Sequence, residues 1–108
     1  MAFKERVWKI AERIPRGRVS TYGEVARALG EPDASRAVGN ALNANRSPSV
    51  PCHRVVRSGG ALGGFNRGAT AKKRKLKAES VKVERGKIAC FKTVFYQLHR
   101  SHSSASRA

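Results

Sequence analysis

At residues 51 to 54 the chain reads "PCHR", a thiol followed at once by an imidazole and a guanidinium. A thiol attacks as its thiolate, and an unperturbed cysteine, with a pKa near ~8.5, is only a few per cent ionised at neutral pH. For Cys52 to act as a nucleophile, a neighbour must favour the anion. His53 is adjacent, but successive side chains on an extended strand point to opposite sides. A bend or a water relay would bring the two together, and a third group would then fix the tautomer of the imidazole. Of the 7 acidic residues, Glu5, Glu12, Glu24, Glu31 and Asp33 fall where helix faces or caps are expected. Glu79 and Glu84 remain, and position alone does not choose between them. A cysteine beside a histidine is also a common structural pairing, so these residues define a candidate and no more. Cys90, in an apolar strand-like stretch, reads as an inert core thiol. The Cys and His residues lack zinc-finger spacing, so no metal is expected.

The charge balance points to a partner. The 108 residues carry 23 Lys plus Arg against 7 Asp plus Glu, a formal charge of +16, with a pI near 11.3. So large an excess suits a polyanion, since cations that neutralise phosphates release condensed counterions. Nucleic acid is the expected partner. Two cysteines do not make a disulfide framework and fit a reducing, intracellular compartment: cytoplasm or nucleoid, or the nucleus of a eukaryote. The sequence contains neither a secretory h-region nor a stretch approaching a membrane span, and no membrane association is expected. The length corresponds to one domain, expected as a monomer.

The elements that must carry Cys52 are short. Phe3, Val7, Ile10 and Ile14 draw one apolar stripe on a helix that Pro15 and Gly17 stop. "TYGEVARALG" opens on a capping box, Thr21 with Glu24, and ends at Gly30. Asp33 is placed to cap a second helix, in which Ala34, Val38, Ala41 and Leu42 face inward. Two helices across a tight turn in a basic chain form a helix-turn-helix candidate. The outer face of the second helix holds Arg36, Ala37, Gly39 and Asn40; a glycine there suggests close approach by DNA or by a neighbouring helix. "RSGGALGGFNRGA" has five glycines in thirteen residues and reads as a loop. Thr70 is expected to cap the basic helix "AKKRKLKAE", whose charged face is either a DNA contact or simply solvated. A two-stranded hairpin is expected around Arg85-Gly86, and residues 101–108 read as a disordered tail.

In register, "IPRGRVSTYGEVARALG", "SRAVGNALNAN", "PCHRVV", "GGFNRG" and a helix ending in "KAE" closely resemble the active-site domain of O6-alkylguanine-DNA alkyltransferases. The resemblance runs from Ile14 to Glu79. It implies a mainly α, single-domain fold, with a helix-turn-helix (winged-helix-like) DNA-binding core and a small C-terminal β-hairpin, over residues 1–100. It further implies direct repair of double-stranded DNA. Cys52 would take the alkyl group of O6-alkylguanine irreversibly, once and without a cofactor, with O4-alkylthymine left open as a second substrate. His53 would deprotonate Cys52 through a water, Glu79 would orient His53, and Tyr22 would donate toward guanine N3. Thr21, Tyr22, Arg36, Ala37, Gly39 and Asn40 are expected at the DNA, with Arg36 entering the space that the flipped nucleotide vacates. Asn45, Pro51, Val55, Phe65, Asn66 and Lys72 are expected around the pocket and its hinge, and Arg54 in a structural role beneath it, in a buried salt bridge or hydrogen bonds.

The chain also departs from the family it resembles. It starts close to the first helix of the active-site domain, so the separate N-terminal domain of most members is expected to be absent, and fusion to or association with another repair module stays open. The loop from Asn45 to Pro51 is about one residue short, and Ser80 stands where a glycine usually follows the glutamate. A second reading is a non-catalytic alkyltransferase-like protein that recognises the lesion and recruits other factors; such proteins usually hold tryptophan where Cys52 stands. A third, a plain helix-turn-helix regulator or nucleic-acid chaperone, leaves "PCHR" unexplained.

Overall fold

The computed structural model describes residues 1–63 and 68–99; Phe65, Asn66 and the expected 101–108 tail lie outside them. The fold is mainly helical. Helix α1 (Phe3–Ala11) buries Val7 and Ala11, and Ile14 follows into the core from beyond the helix end. Strand β1 (Ser20–Thr21) leads directly into α2 (Tyr22–Ala28). Thr21 is the N-cap, its hydroxyl accepting from the Glu24 amide at 3.0 Å. The reciprocal half of the expected capping box is absent, because the Glu24 carboxylate is used elsewhere.

Helix α3 (Ser35–Asn43) follows across the turn and packs against α1 and α2. Val38, Ala41 and Leu42 are buried as the periodicity predicts. Asp33 does not cap this helix. The N-cap is Ala34, and no side chain bonds to the first turn. The chain then bends through a single 3-10 turn at Cys52–Arg54 into β2 (Val55–Val56). β2 pairs in parallel with β1, Ser20 opposite Val55 and Thr21 opposite Val56.

Helix α4 (Ala69–Ala78) begins after Gly68, so Thr70 lies inside its first turn and is not the cap. Its C-terminus is a Schellman motif: the Ser80 and Val81 amides bond back to the Lys77 and Leu76 carbonyls at 2.9 Å each. The expected hairpin is present as β3 (Val83–Glu84) and β4 (Lys87–Ile88). Arg85 and Gly86 both have positive φ, at 53° and 77°, which is the type I′ arrangement that suits strand twist. The short helix α5 (Phe91–Val94) follows. Cys90 is not the expected core thiol. It is exposed, with φ 54°, because the hairpin ends before it and the chain turns there into α5.

Two apolar clusters divide at the β1–β2 pair, whose successive side chains point to opposite faces. Val55 joins Val7, Ile14, Val25, Val38, Leu42 and Cys52 in one cluster. Val56 and Val19 join Leu62, Leu76, Val81 and Ile88 in the other. A C-terminal segment closes the first cluster. The Tyr96 amide donates to Val19 O at 2.7 Å, Leu98 is buried, and the amides of Leu98 and His99 both donate to the Glu24 carboxylate.

Candidate active site

The bend that the sequence requires between Cys52 and His53 is the 3-10 turn, closed by the Arg54 amide on Pro51 O at 2.9 Å. In such a turn successive side chains are separated by about 120° rather than opposed. Cys52 turns into the first cluster and is 9% exposed. The Asn45 amide group donates to its sulfur at 3.4 Å, and the thiol faces Leu42 O at 3.4 Å. Asn45 is itself pinned by a two-way exchange with Ser47: its side-chain nitrogen donates to the Ser47 carbonyl at 2.8 Å, and its oxygen accepts from the Ser47 amide at 3.1 Å. The loop that leaves α3 is thus fastened at the residue that touches the sulfur. Pro51 is buried just before it.

His53 and Arg54 reach the same carboxylate. His53 Nε2 lies 2.8 Å from Glu79 Oε2, and Arg54 grips both Glu79 oxygens, at 2.9 and 2.7 Å. Arg54 also donates to Ile14 O at 2.8 Å, so the expected buried salt bridge is present. Of the two acids left open by position, Glu79, the C-cap of α4, faces the histidine; Glu84 is exposed on the hairpin. Burial alone would push the Glu79 carboxyl up, but its bonds to Arg54 and His53 more than offset this and hold it at about 2. An ionised carboxylate only accepts, so the proton of a neutral His53 sits on Nε2 and the lone pair on Nδ1. Burial lowers the His53 pKa, with Glu79 opposing, and the imidazole is therefore neutral at pH 7. Burial also raises the Cys52 thiol, against the Asn45 bond and the Lys72 charge. The resting site is a protonated thiol beside a neutral, oriented base.

Lys72 enters from α4. It is fully buried and donates to Val55 O at 2.7 Å and Tyr22 Oη at 3.4 Å, with its ammonium 5.6 Å from the Tyr22 ring centroid. Desolvation brings its pKa down to about 8, with Cys52 opposing. The Tyr22 hydroxyl is raised, chiefly by burial, while the charge of Arg57 lowers it. The structure therefore links Asn45 to Cys52, Val55 to Tyr22 through Lys72, and His53 to Glu79.

The outer face of α3 lies on the other side of Tyr22. Arg36, Ala37 and Asn40 are exposed. A methyl group on Gly39 would meet the Tyr22 ring at 3.8 Å, ordinary contact distance, so packing within the protein does not demand a glycine there. Thr21, expected at the DNA, is 4% exposed; its side chain serves as the helix cap. A cleft of about 320 Å³ lies between α3 and the end of β2, lined by Tyr22, Ser35, Arg36, Gly39, Asn40, Asn43 and Arg57. Arg57 was not singled out by sequence. The available signal was its place directly after β2, beside a strand that delivers Tyr22. Among the described residues no group of three or more His, Cys, Asp or Glu side chains comes together as a metal site, and no helix is long and apolar enough to cross a membrane.

Fold and site together define a class: a helix-turn-helix domain with a buried thiol behind its second helix and a carboxylate-oriented histidine beside that thiol. The sequence profile described as "6-O-methylguanine DNA methyltransferase, DNA binding domain" matches residues 2–81, and the chain belongs to that family. It is 46% identical over 80 residues to the methylated-DNA-protein-cysteine methyltransferase of Methanosarcina acetivorans, covering 71% of this chain and 50% of that protein. The chain spans from about a quarter to a half of the length of such curated relatives. Its structure resembles that of S. pombe Atl1 in complex with damaged DNA containing O6-carboxymethylguanine, with TM-score 0.79 and 31% identity, over 88% of this chain and 94% of that one. Mycobacterium tuberculosis OGT in complex with DNA matches with TM-score 0.71 and 42% identity, over 74% of this chain and 49% of that one.

Proposed function

We propose that the chain repairs alkylated DNA by accepting the alkyl group of O6-alkylguanine on Cys52, with residues 1–100 as the reacting unit. The observation that carries this reading is the His53–Glu79 pair, in which the ionised carboxylate fixes the imidazole proton on Nε2 in the residue that directly follows the Cys52 thiol. The damaged nucleotide turns out of the duplex while the small outer face of α3 approaches the minor groove. The thiol proton passes through a water to His53 Nδ1. The sulfur attacks the alkyl carbon, the S–C bond forms as the C–O6 bond breaks, and the leaving guanine gains a proton at N3 from Tyr22. Lys72 holds the Val55 carbonyl and the Tyr22 hydroxyl at the pocket, and its charge favours the thiolate. The thioether is stable, so each molecule acts once and needs no cofactor.

A second reading has a specific observation in its favour: the damaged-DNA complex of Atl1 is matched over nearly that whole chain, whereas the methyltransferases are matched over about half or less. Under this reading the domain recognises the lesion without reacting. Intact-protein mass spectrometry after incubation with a duplex carrying one O6-methylguanine separates the two. Transfer adds one methyl group, mapped to Cys52, and restores guanine; Cys52→Ala gains no mass yet still binds. Binding by the unsubstituted protein with no gain in mass establishes the second reading.

A further inference from the structure

The cleft between α3 and β2 is lined by two arginines from different elements. Arg36 stands on α3, and Arg57 follows β2 directly. The parallel register, Ser20 to Val55 and Thr21 to Val56, makes Tyr22 and Arg57 the residues that directly follow the two paired strands. Arg57 is anchored through its backbone. Its amide donates to Ala61 O at 2.8 Å, and its carbonyl accepts from the Gly60 amide at 2.9 Å. The loop at Gly63 runs close to its stem: a Cβ added there would lie 3.3 Å from Arg57 Cγ and 3.0 Å from Tyr22 Oη. With Gly63 at φ 73°, the loop passes close to both side chains.

The guanidinium itself is uncommitted among the described residues. Arg6, Arg27 and Arg54 each pair with a carboxylate, and Arg18 holds the Val94 and Phe95 carbonyls. Arg57 has neither kind of partner among the described residues, although its backbone is held on both sides. A guanidinium with no partner among the described residues, lining a cleft together with a second arginine, is a site for one anion.

We propose that Arg57 binds a backbone phosphate of the DNA strand whose nucleotide enters the pocket; this rests on the reading of the chain as an alkylguanine-DNA protein. Turning a nucleotide out rotates it about its own backbone, which carries the flanking phosphates to the rim of the pocket that receives the base. Tyr22 lies beneath that rim, and Arg57 stands beside it. A planar fork of donors suits a phosphodiester in bidentate geometry, and the bond would set the rotated strand in register with Tyr22 and Cys52 while reading no base.

The test is the salt dependence of duplex binding, measured by fluorescence anisotropy in a Cys52→Ala background on undamaged and O6-methylguanine duplexes. One phosphate contact contributes about 0.9 to the slope of log K against log salt. Arg57→Ala is expected to lower that slope by about 0.9 and to weaken binding roughly tenfold at ~50 mM salt, narrowing to about threefold at ~200 mM. Arg57→Lys, which keeps the charge, is expected to retain the slope. With Cys52 present, Arg57→Ala should lose more transfer on duplex DNA than on the free base O6-benzylguanine, which has no phosphate and reports only the effect of the Arg57 charge on Tyr22. An unchanged slope overturns the proposal. So does an equal loss on the free base, which would make Arg57 a residue acting on Tyr22, and so does a loss that depends on flanking sequence. If the parent itself does not react, the transfer reading fails alone and the slope still decides the role of Arg57.

Discussion

Replacing Glu79 by Gln removes one charge from the point where three segments meet. The carboxylate receives Arg54 at 2.9 and 2.7 Å and His53 at 2.8 Å, and its side chain is 7% exposed. A carboxyl lowered from 4.5 to about 2 is linked to at most about 3 kcal/mol of stability; screening near the surface reduces this to about 2 kcal/mol. The folded pKa is depressed, so this stability is fully present above the unfolded value near 4.5 and is lost as pH falls toward 2. At pH 7, Glu79→Gln also leaves the Arg54 guanidinium without its counter-charge, and we expect a total loss of about 3 kcal/mol. With a urea dependence of roughly 2 kcal/mol/M, the midpoint drops by about 1.5 M. Trp8 is the single tryptophan, and its indole N–H is held on Ala41 O at 2.8 Å, so its fluorescence reports unfolding directly. Urea titrations at several pH values from 7 to 2 should show the gap between parent and variant closing mainly below pH 4.5. A gap that stays constant through that range would refute the assignment of Glu79 as an ionised hub.

Two further outcomes follow from single positions. Ser80 sits at φ 67° in the place after the α4 cap where glycine meets no steric penalty; Ser80→Gly should stabilise the fold by about 1 kcal/mol, read as a higher urea midpoint with transfer unchanged. Lys72 has its pKa lowered from 10.5 to about 8, so the unfolded chain binds more protons between those values and the parent gains stability as pH rises through them, by up to about 3 kcal/mol. Lys72→Met lacks that gain: its stability relative to the parent should fall by this amount between pH 8 and 10.5, while at pH 7 transfer drops sharply in a protein that still folds. Parallel stability profiles would show that Lys72 is not the buried, titrating group.

What the sequence displayed was local, and what it concealed was long-range. The stripes of α1 and α3, the Thr21 cap and the I′ turn at Arg85-Gly86 each depend on residues within a few positions, and all are where the pattern places them. Cys90 failed because strand-like alternation does not reveal that a hairpin ends two residues earlier, and the left-handed turn that follows exposes the thiol. Position alone left Glu79 and Glu84 equal, since the choice depends on α4 packing against the 3-10 turn; the alkyltransferase resemblance named Glu79, and geometry puts it 2.8 Å from His53.

Glu24 is the most instructive misreading. Three residues after Thr21 it has the form of a capping-box acid, yet it is 3% exposed and accepts from the backbone of Leu98 and His99 and from Arg27. Two backbone N–H groups buried without an acceptor would cost a few kcal/mol, so the carboxylate at the first turn of α2 is what allows the C-terminal segment to lie on the helix-turn-helix. That segment runs past residue 81, where the family match ends, and its Tyr96 amide bonds to Val19, immediately before β1. The strand that delivers Tyr22 to the pocket is therefore held on one side by β2, which carries Val55 and Arg57, and on the other by the end of the chain. The placement of Tyr22, directly after that strand, depends on both.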